Sequence, residues 1–281
     1  MKSFSDNPDF RFFHNDVRDM TAMQKAMDGV SAVFHLAARK IPRYGDALST
    51  LQINNDGTRN VFESAAKFKC KVMLASTSDV YGKGTPPFKE SDDLLIGRSD
   101  SRRWSYAVSK IFDEHLALAY YAERNIDTVV LRFFGSYGPR HHRSWWGGPQ
   151  SVFIDQVLRG EEITIHGDGR QTRSFTYIDD LIKGIIKASE TKAASGQILN
   201  LGSDEEISIM GLAELINELI RPGTRPSIKI VPYENFGGNY EDVRRRLPDL
   251  AKAKELLGYG WSISLHDGLS KTIEWHRQNP I

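Results

Sequence analysis

The chain has 281 residues, 40% of them hydrophobic and 26% charged, with a formal net charge of +1. That length and balance can bury a substantial core and provide no global field for a polyanion, so nucleic acid is not expected as a partner. The single cysteine, Cys70, excludes an intrachain disulfide and suits a reducing compartment, and no apolar run nears the ~20 residues of a bilayer span, so a cytoplasmic protein without membrane attachment is expected.

In chain order, residues 10–17, 32–38 and 71–76 read as short apolar strands, the last running into the hydroxyls of Ser76 and Thr77. Helical stretches follow them, most clearly 61–68 and 107–124. Strands alternating with helices imply an α/β fold with a doubly wound parallel sheet. Such sheets bind ligands at the carboxyl ends of their strands, where Ser76 and Thr77 would project. The last third mixes short strands (197–201, 227–231) with amphipathic helices (210–220, 251–257, 265–276), which suits a smaller α/β lobe interleaved with the sheet.

The chemistry concentrates on Tyr106 and Lys110. Four residues apart on a helix, they share a face, so the ammonium can lie beneath the phenol. A neighbouring cation favours the phenolate and lowers its pKa from ~10 toward neutrality, giving a base for an alcohol. Other residues draw plainer readings. His141 and His142 read as loop residues rather than metal ligands, and no metal is expected. Met20, Met23 and Met27 recur at helical spacing as core filler, and His14 and His35 read as structural strand residues. Trp145 and Trp146 either wall a ligand pocket or pack a lid.

Together these segments resemble the extended short-chain dehydrogenases/reductases that act on nucleotide sugars, from about Asn7 onward. Ser76-Thr77-Ser78-Asp79-Val80-Tyr81-Gly82 is similar to the family's S-[ST]-x-x-V-Y-G segment, which implies Thr77 as the catalytic hydroxyl beside Tyr106 and Lys110. Asp16 and Val17 resemble its adenine-side segment, and Leu36-Ala37-Ala38 its small-residue turn against the dinucleotide. Asn54-Asn55-Asp56-Gly57-Thr58 resembles N-V-x-G-T, with Asn54 at the Asn position. Arg173, after Gly167-Asp168-Gly169, resembles the arginine on the nucleotide diphosphate, and Arg246 in Arg246-Leu247-Pro248-Asp249 the late substrate arginine. His166 stands where relatives stack an aromatic ring on the base.

The resemblance implies a Rossmann-type domain for NAD at 1–141 and 173–203, and a nucleotide-sugar lobe at 142–172 and 204–281. It implies a UDP-sugar substrate, and a homodimer paired through the helices around Val61 and Leu116, with Ile111, His115, Leu118 and Tyr121 as the covered stripe. The family opens with a G-x-x-G-x-x-G unit, and here no glycine precedes Gly29, so an N-terminally truncated sheet is expected, from a late start or shortened gene.

A 4-keto sugar is the intermediate shared by epimerisation, decarboxylation and dehydration in this family. Dehydratases read Thr-Asp-Glu where this chain reads Thr77-Ser78-Asp79, which argues against dehydration. Decarboxylases of UDP-glucuronate read Thr-Ser-Glu, and Asp79 is one methylene shorter. The stretches 103–106 and 238–243 lean toward the decarboxylases and uronate epimerases, while Gly135 replaces an Asn that holds the sugar. The reading places an NAD-dependent UDP-sugar 4-epimerase (an isomerase) first, with Asp79 as a fourth catalytic residue. A UDP-glucuronate decarboxylase comes second and a non-catalytic nucleotide-sugar-binding homologue third.

Overall fold

Asp19 starts helix α1 (Met20–Met27) by accepting a hydrogen bond from the Ala22 amide at 3.0 Å. The structure, a computed structural model, describes residue 4 and residues 6–40, 46–236 and 241–280. Strand β1 (Ala32–His35), helix α2 (Ala47–Phe68), β2 (Lys71–Thr77), α3 (Ser105–Arg124) and β3 (Thr128–Phe133) follow in order. Asn125 ends α3 in left-handed backbone (φ 54°), a conformation Asn tolerates better than most residues. The chain continues through β4 (Ser136–Tyr137), α4 (Pro149–Arg159), β5 (Ile163–His166), β6 (Thr172–Ser174), β7 (Thr176–Tyr177) and α5 (Ile178–Glu190). It closes with β8 (Ile198–Leu201), β9 (Glu206–Ser208), α6 (Ile209–Ile220), β10 (Ile228–Val231), β11 (Arg245–Arg246), α7 (Ala251–Leu257) and α8 (Leu265–Gln278).

The main sheet is parallel in the order β1-β2-β3-β8. Its middle strands are apolar on both faces because both faces are covered. Val72, Leu74 and Val130 meet Val61, Phe62 and Ala65 of α2 and Ala117 of α3. On the other side Met73, Val129, Leu131 and Leu199 meet Leu181 and Ala188 of α5 and Ala253 and Leu257 of α7. Each such buried side chain stabilises the fold by roughly 1.5–3 kcal/mol. A separate core joins Phe153 of α4, Ile163 and Ile165 of β5, Leu212 and Ile216 of α6, and Leu269 and Ile273 of α8.

One expected strand does not form. Residues 10–17 are irregular, with Phe10, Phe12 and Phe13 exposed, and β1 is the edge of the sheet among the described residues. Aromatic content favours strand only where a neighbouring strand accepts the backbone hydrogen bonds, and none pairs with this segment. His14 is therefore outside any strand. The helices around Val61 and Leu116 are longer than read from the sequence, and Asn54 to Thr58 lie inside α2. Gly238, Asn239 and Tyr240 lie outside the described residues. Among the described residues, no helix is long and apolar enough to cross a membrane.

Candidate active site

Strand β2 ends at Thr77, whose hydroxyl accepts from the Asp79 amide at 3.2 Å and hydrogen-bonds Tyr106 in the first turn of α3. Lys110, one turn on, is 1% exposed, and its ammonium lies 2.8 Å from the Asp113 carboxylate. Three of the four expected catalytic side chains thus meet at the carboxyl end of the sheet. Their electrostatics differ from expectation. Burial first, then the charges of Asp79 and Asp113, push the Tyr106 phenol up, and the Thr77 hydroxyl pulls it down only in part. The predicted lowering fails in this state because the Lys110 charge is engaged by Asp113, while Asp79 adds a second negative charge.

Beside Tyr106 opens a cavity of about 260 Å³ lined by Asp79, Arg103, Gly135, Trp145, His166, Arg173, Asp242 and Arg246, with Lys40 also contributing. Asp79 is central. One of its oxygens accepts from Arg103 at 2.8 Å and lies 2.6 Å from the Arg246 guanidinium. Burial would raise this carboxyl, but Arg103 and Arg246 outweigh it and hold Asp79 well below the usual carboxylate range. Arg173 pairs with Asp242 at 2.9 Å, and Asp242 also accepts from the Tyr233 hydroxyl at 2.9 Å. With Lys40, four cations thus face two carboxylates, an excess suited to an anionic ligand.

The floor is braced from below. Glu114 of α3 takes both Arg132 nitrogens at 3.0 and 2.7 Å and a short hydrogen bond from Ser76, locking the end of β2 to β3 and α3. His166 is stacked against Trp145 at 3.9 Å between ring centroids and met edge-on by Phe236, so one imidazole face is already covered. Trp145 thus both walls the cavity and packs a core, while Trp146 is exposed. A Cβ on Gly135 would stand 3.0 Å from the Phe175 ring, so an Asn side chain here would need Phe175 to give way.

The expected dinucleotide residues lie before α1, beyond β1 and within α2. Leu36, Ala37 and Ala38 are exposed just beyond β1. Asn54 is buried and holds Arg39 by its amide and carbonyl (2.7 and 3.1 Å) and Ser109 at 2.9 Å, so it fixes the loop that carries them. Asp16 is exposed and binds Arg18 through both oxygens, and Val17 packs on Gly57 of α2, where a Cβ would come within 2.6 Å. Four site residues escaped the sequence reading: Arg103, Asp113, Glu114 and Asp242. Asp242 meets Arg173 rather than the arginines next to it in sequence, and Arg244, Arg245 and Arg246 pair with Asp168, Glu206 and Asp79.

Residues 2–202 match the profile of the NAD-dependent epimerase/dehydratase family. The chain belongs to that family. A UDP-N-acetyl-alpha-D-glucosaminuronate decarboxylase from Bacillus cytotoxicus is 39% identical across 93% of this chain and 81% of its own length. A UDP-glucuronate 4-epimerase from Thermodesulfobacterium geofontis is 33% identical across 96% and 80%. The solved UDP-glucuronic acid 4-epimerase from Bacillus cereus, in complex with UDP-glucuronic acid and NAD, superposes with a TM-score of 0.88 at 30% identity, over 99% of this chain and 84% of that one.

The cofactor of this family is NAD. The side chains here fit it on one count: the buried Lys110 ammonium has three donors, of which Asp113 takes one among the described residues, leaving N–H groups suited to a ribose diol.

Proposed function

We propose that this protein acts on a UDP-uronate and decarboxylates it through a 4-keto sugar. The observation that carries this reading is Asp79 held between Arg103 and Arg246 on the cavity wall. Two buried guanidiniums beside the catalytic Tyr suit a substrate that brings a carboxylate as well as a diphosphate. The relatives support the same class, since both the decarboxylase and the epimerases named above act on uronates in their printed names. The sequence reading placed the epimerase first; the 39% identical decarboxylase favours the other order here.

In this reading Tyr106 takes the proton of the sugar 4-hydroxyl and Thr77 hydrogen-bonds the same oxygen. Lys110 supplies positive charge to the phenolate and donors to the ribose. Hydride acceptance from C4 and its return is the chemistry that NAD would supply when bound. Oxidation at C4 makes the substrate a β-keto acid, whose carboxylate leaves as CO2 while the electron pair moves onto the C4 oxygen, where Tyr106 and Thr77 stabilise it. A proton from solvent then replaces the carboxylate at C5, while the proton on Tyr106 returns to the C4 oxygen. Asp79 stays ionised and orients Arg103 and Arg246 rather than donating the C5 proton. Arg173 grips the diphosphate, and His166 with Trp145 lines the base end. The core around α4, α6 and α8 forms the nucleotide-sugar lobe, and two copies pair through α2 and α3.

The second reading is the 4-epimerase, favoured by Gly135, which lacks the Asn side chain with which relatives hold the sugar. Incubating the NAD-loaded protein with UDP-glucuronate and with UDP-N-acetylglucosaminuronate, and following products by NMR, separates the two. Release of CO2 with a UDP-pentose is expected. A 4-epimer without CO2 would make the epimerase correct.

A further inference from the structure

Three residues after Lys110, Asp113 is fully buried with its carboxylate 2.8 Å from the Lys110 ammonium. On an exposed helix face such a pair adds only about 0.2–0.5 kcal/mol, and in a core it carries a desolvation cost. Burial accordingly pushes the Asp113 carboxyl up and Lys110 pulls it back. Behind the carboxyl lies Thr58 of α2, whose hydroxyl is 2.9 Å from His35 Nε2 of β1. Burial, then the Lys110 charge, holds His35 down to about 3, so it stays neutral. Glu114, the neighbouring carboxylate, is committed to Arg132 and Ser76. Lys110 is therefore the cation that Asp113 answers. On the far side, the groups facing the phenol are the Thr77 hydroxyl and Asp79, the latter clasped by Arg103 and Arg246.

We propose that Asp113 is a positioning residue for the Tyr106–Lys110 pair: its carboxylate anchors the Lys110 ammonium and offsets the positive charge that Lys110 presents to the phenol. This rests on Tyr106 being the base, as assigned above. The geometry gives the device its purpose. An ammonium on a flexible stem, buried without a counter-ion, would either lose its proton or swing to Asp79; a carboxylate one turn along the same helix fixes it where a ribose diol and the phenol can both be reached. The same carboxylate restrains the phenol from ionising until other groups draw on Lys110.

The test removes the charge and keeps the shape. A fluorinated tyrosine placed at position 106 is titrated by fluorine NMR in the parent protein and in Asp113→Asn, with no turnover required. The midpoint is expected to fall by about one unit or more in Asp113→Asn, and to stay within about half a unit of the parent in Asp113→Glu, which keeps the charge. The pH dependence of kcat should move to lower pH in the same variant. An unchanged or raised midpoint in Asp113→Asn overturns the proposal. Should that variant not fold, the double variant Lys110→Met with Asp113→Leu replaces the pair by apolar side chains, a change that buried pairs often tolerate. Its midpoint should lie within about half a unit of the parent, and a rise of more than about one unit would show Lys110 acting unopposed and defeat the idea. Turnover of Tyr106→Phe tests the base assignment separately, so the two failures are distinguishable.

Discussion

Arg246 Nη2 lies 2.6 Å from Asp79 Oδ1, the oxygen that also accepts from Arg103 at 2.8 Å. Sharing one oxygen, the two guanidiniums are held beside the Tyr106 phenol by a carboxylate that burial alone would have neutralised. If they receive the substrate carboxylate, Arg103→Gln should raise KM for a UDP-uronate about 10- to 100-fold, the scale of one charge-assisted hydrogen bond. UDP-glucose, which lacks the carboxylate, should be affected far less. Steady-state kinetics with both sugars check this, and equal losses would remove the carboxylate assignment.

Tyr106→Phe should cost several orders of magnitude in turnover, because Thr77 and Lys110 can hydrogen-bond the 4-oxygen but neither is a base for its proton. Thr77→Val should cost less, about 10- to 100-fold, since it removes one stabilising hydrogen bond and leaves the base. Near-parental turnover in Tyr106→Phe refutes the mechanism outright.

What was legible in the sequence follows from what is local. Tyr106, Lys110 and Thr77 were found because helical spacing and a strand end place them, and both are short-range properties. The buried middle strands announced themselves by apolar runs. The charge partners of Asp79, Lys110 and Arg173 were not legible in the same way. Asp113 lies only three residues from Lys110, but nothing in its type says that it is buried. Asp242 meets Arg173 across a separation of 69 residues. The strand expected at residues 10–17 failed for the converse reason: its propensity was real, but strand formation depends on a neighbour that sequence pattern alone does not supply.

Acid should destabilise the protein before its carboxylates titrate. Burial, then Lys110, lowers His35 from 6.5 to about 3, and burial leads in lowering His141 to about 4. Below about pH 6.5 the unfolded chain therefore binds protons that the folded one refuses, so stability falls as pH drops toward 4. Each such group contributes a slope of up to about 1.4 kcal/mol per pH unit. Urea unfolding across this window should show the decline, and His35→Gln should flatten it. An identical slope in the variant would mean His35 does not resist protonation.

Glu114 and Arg132 form a buried pair with side chains 4% and 3% exposed, completed by Ser76. Removing one partner leaves an uncompensated charge, so Glu114→Ala should cost about 3–5 kcal/mol. Because the pair braces the end of β2 rather than touching the cavity, stability should suffer before KM does. A denaturant midpoint matching the parent would show that Arg132 finds another partner.

The outer face of α3 gives the last prediction. The stripe expected from sequence was Ile111, His115, Leu118 and Tyr121, but Ile111 and Leu118 pack inward against cores. The exposed apolar face is instead Val108 (46%) and Phe112 (38%), with His115 beside them, while Tyr121 lies on another side of the helix against Gly196. Positions 108, 112 and 115 follow i, i+4, i+7 spacing and so share one face. Behind that face α3 is firmly seated on α2, where the Tyr120 hydroxyl donates to Glu63 at 2.6 Å and the Phe62 and Tyr120 rings meet at a tilt with centroids 5.3 Å apart. A rigid helix pair with a flat apolar front suits a two-fold partner, in which the same row meets its own copy. Light scattering at micromolar concentration should therefore give twice the chain mass. Phe112→Glu, which places a charge at the centre of the row, should give the monomer mass with an unchanged far-ultraviolet spectrum. A parent protein that is already monomeric would leave this face without a two-fold mate and end the prediction.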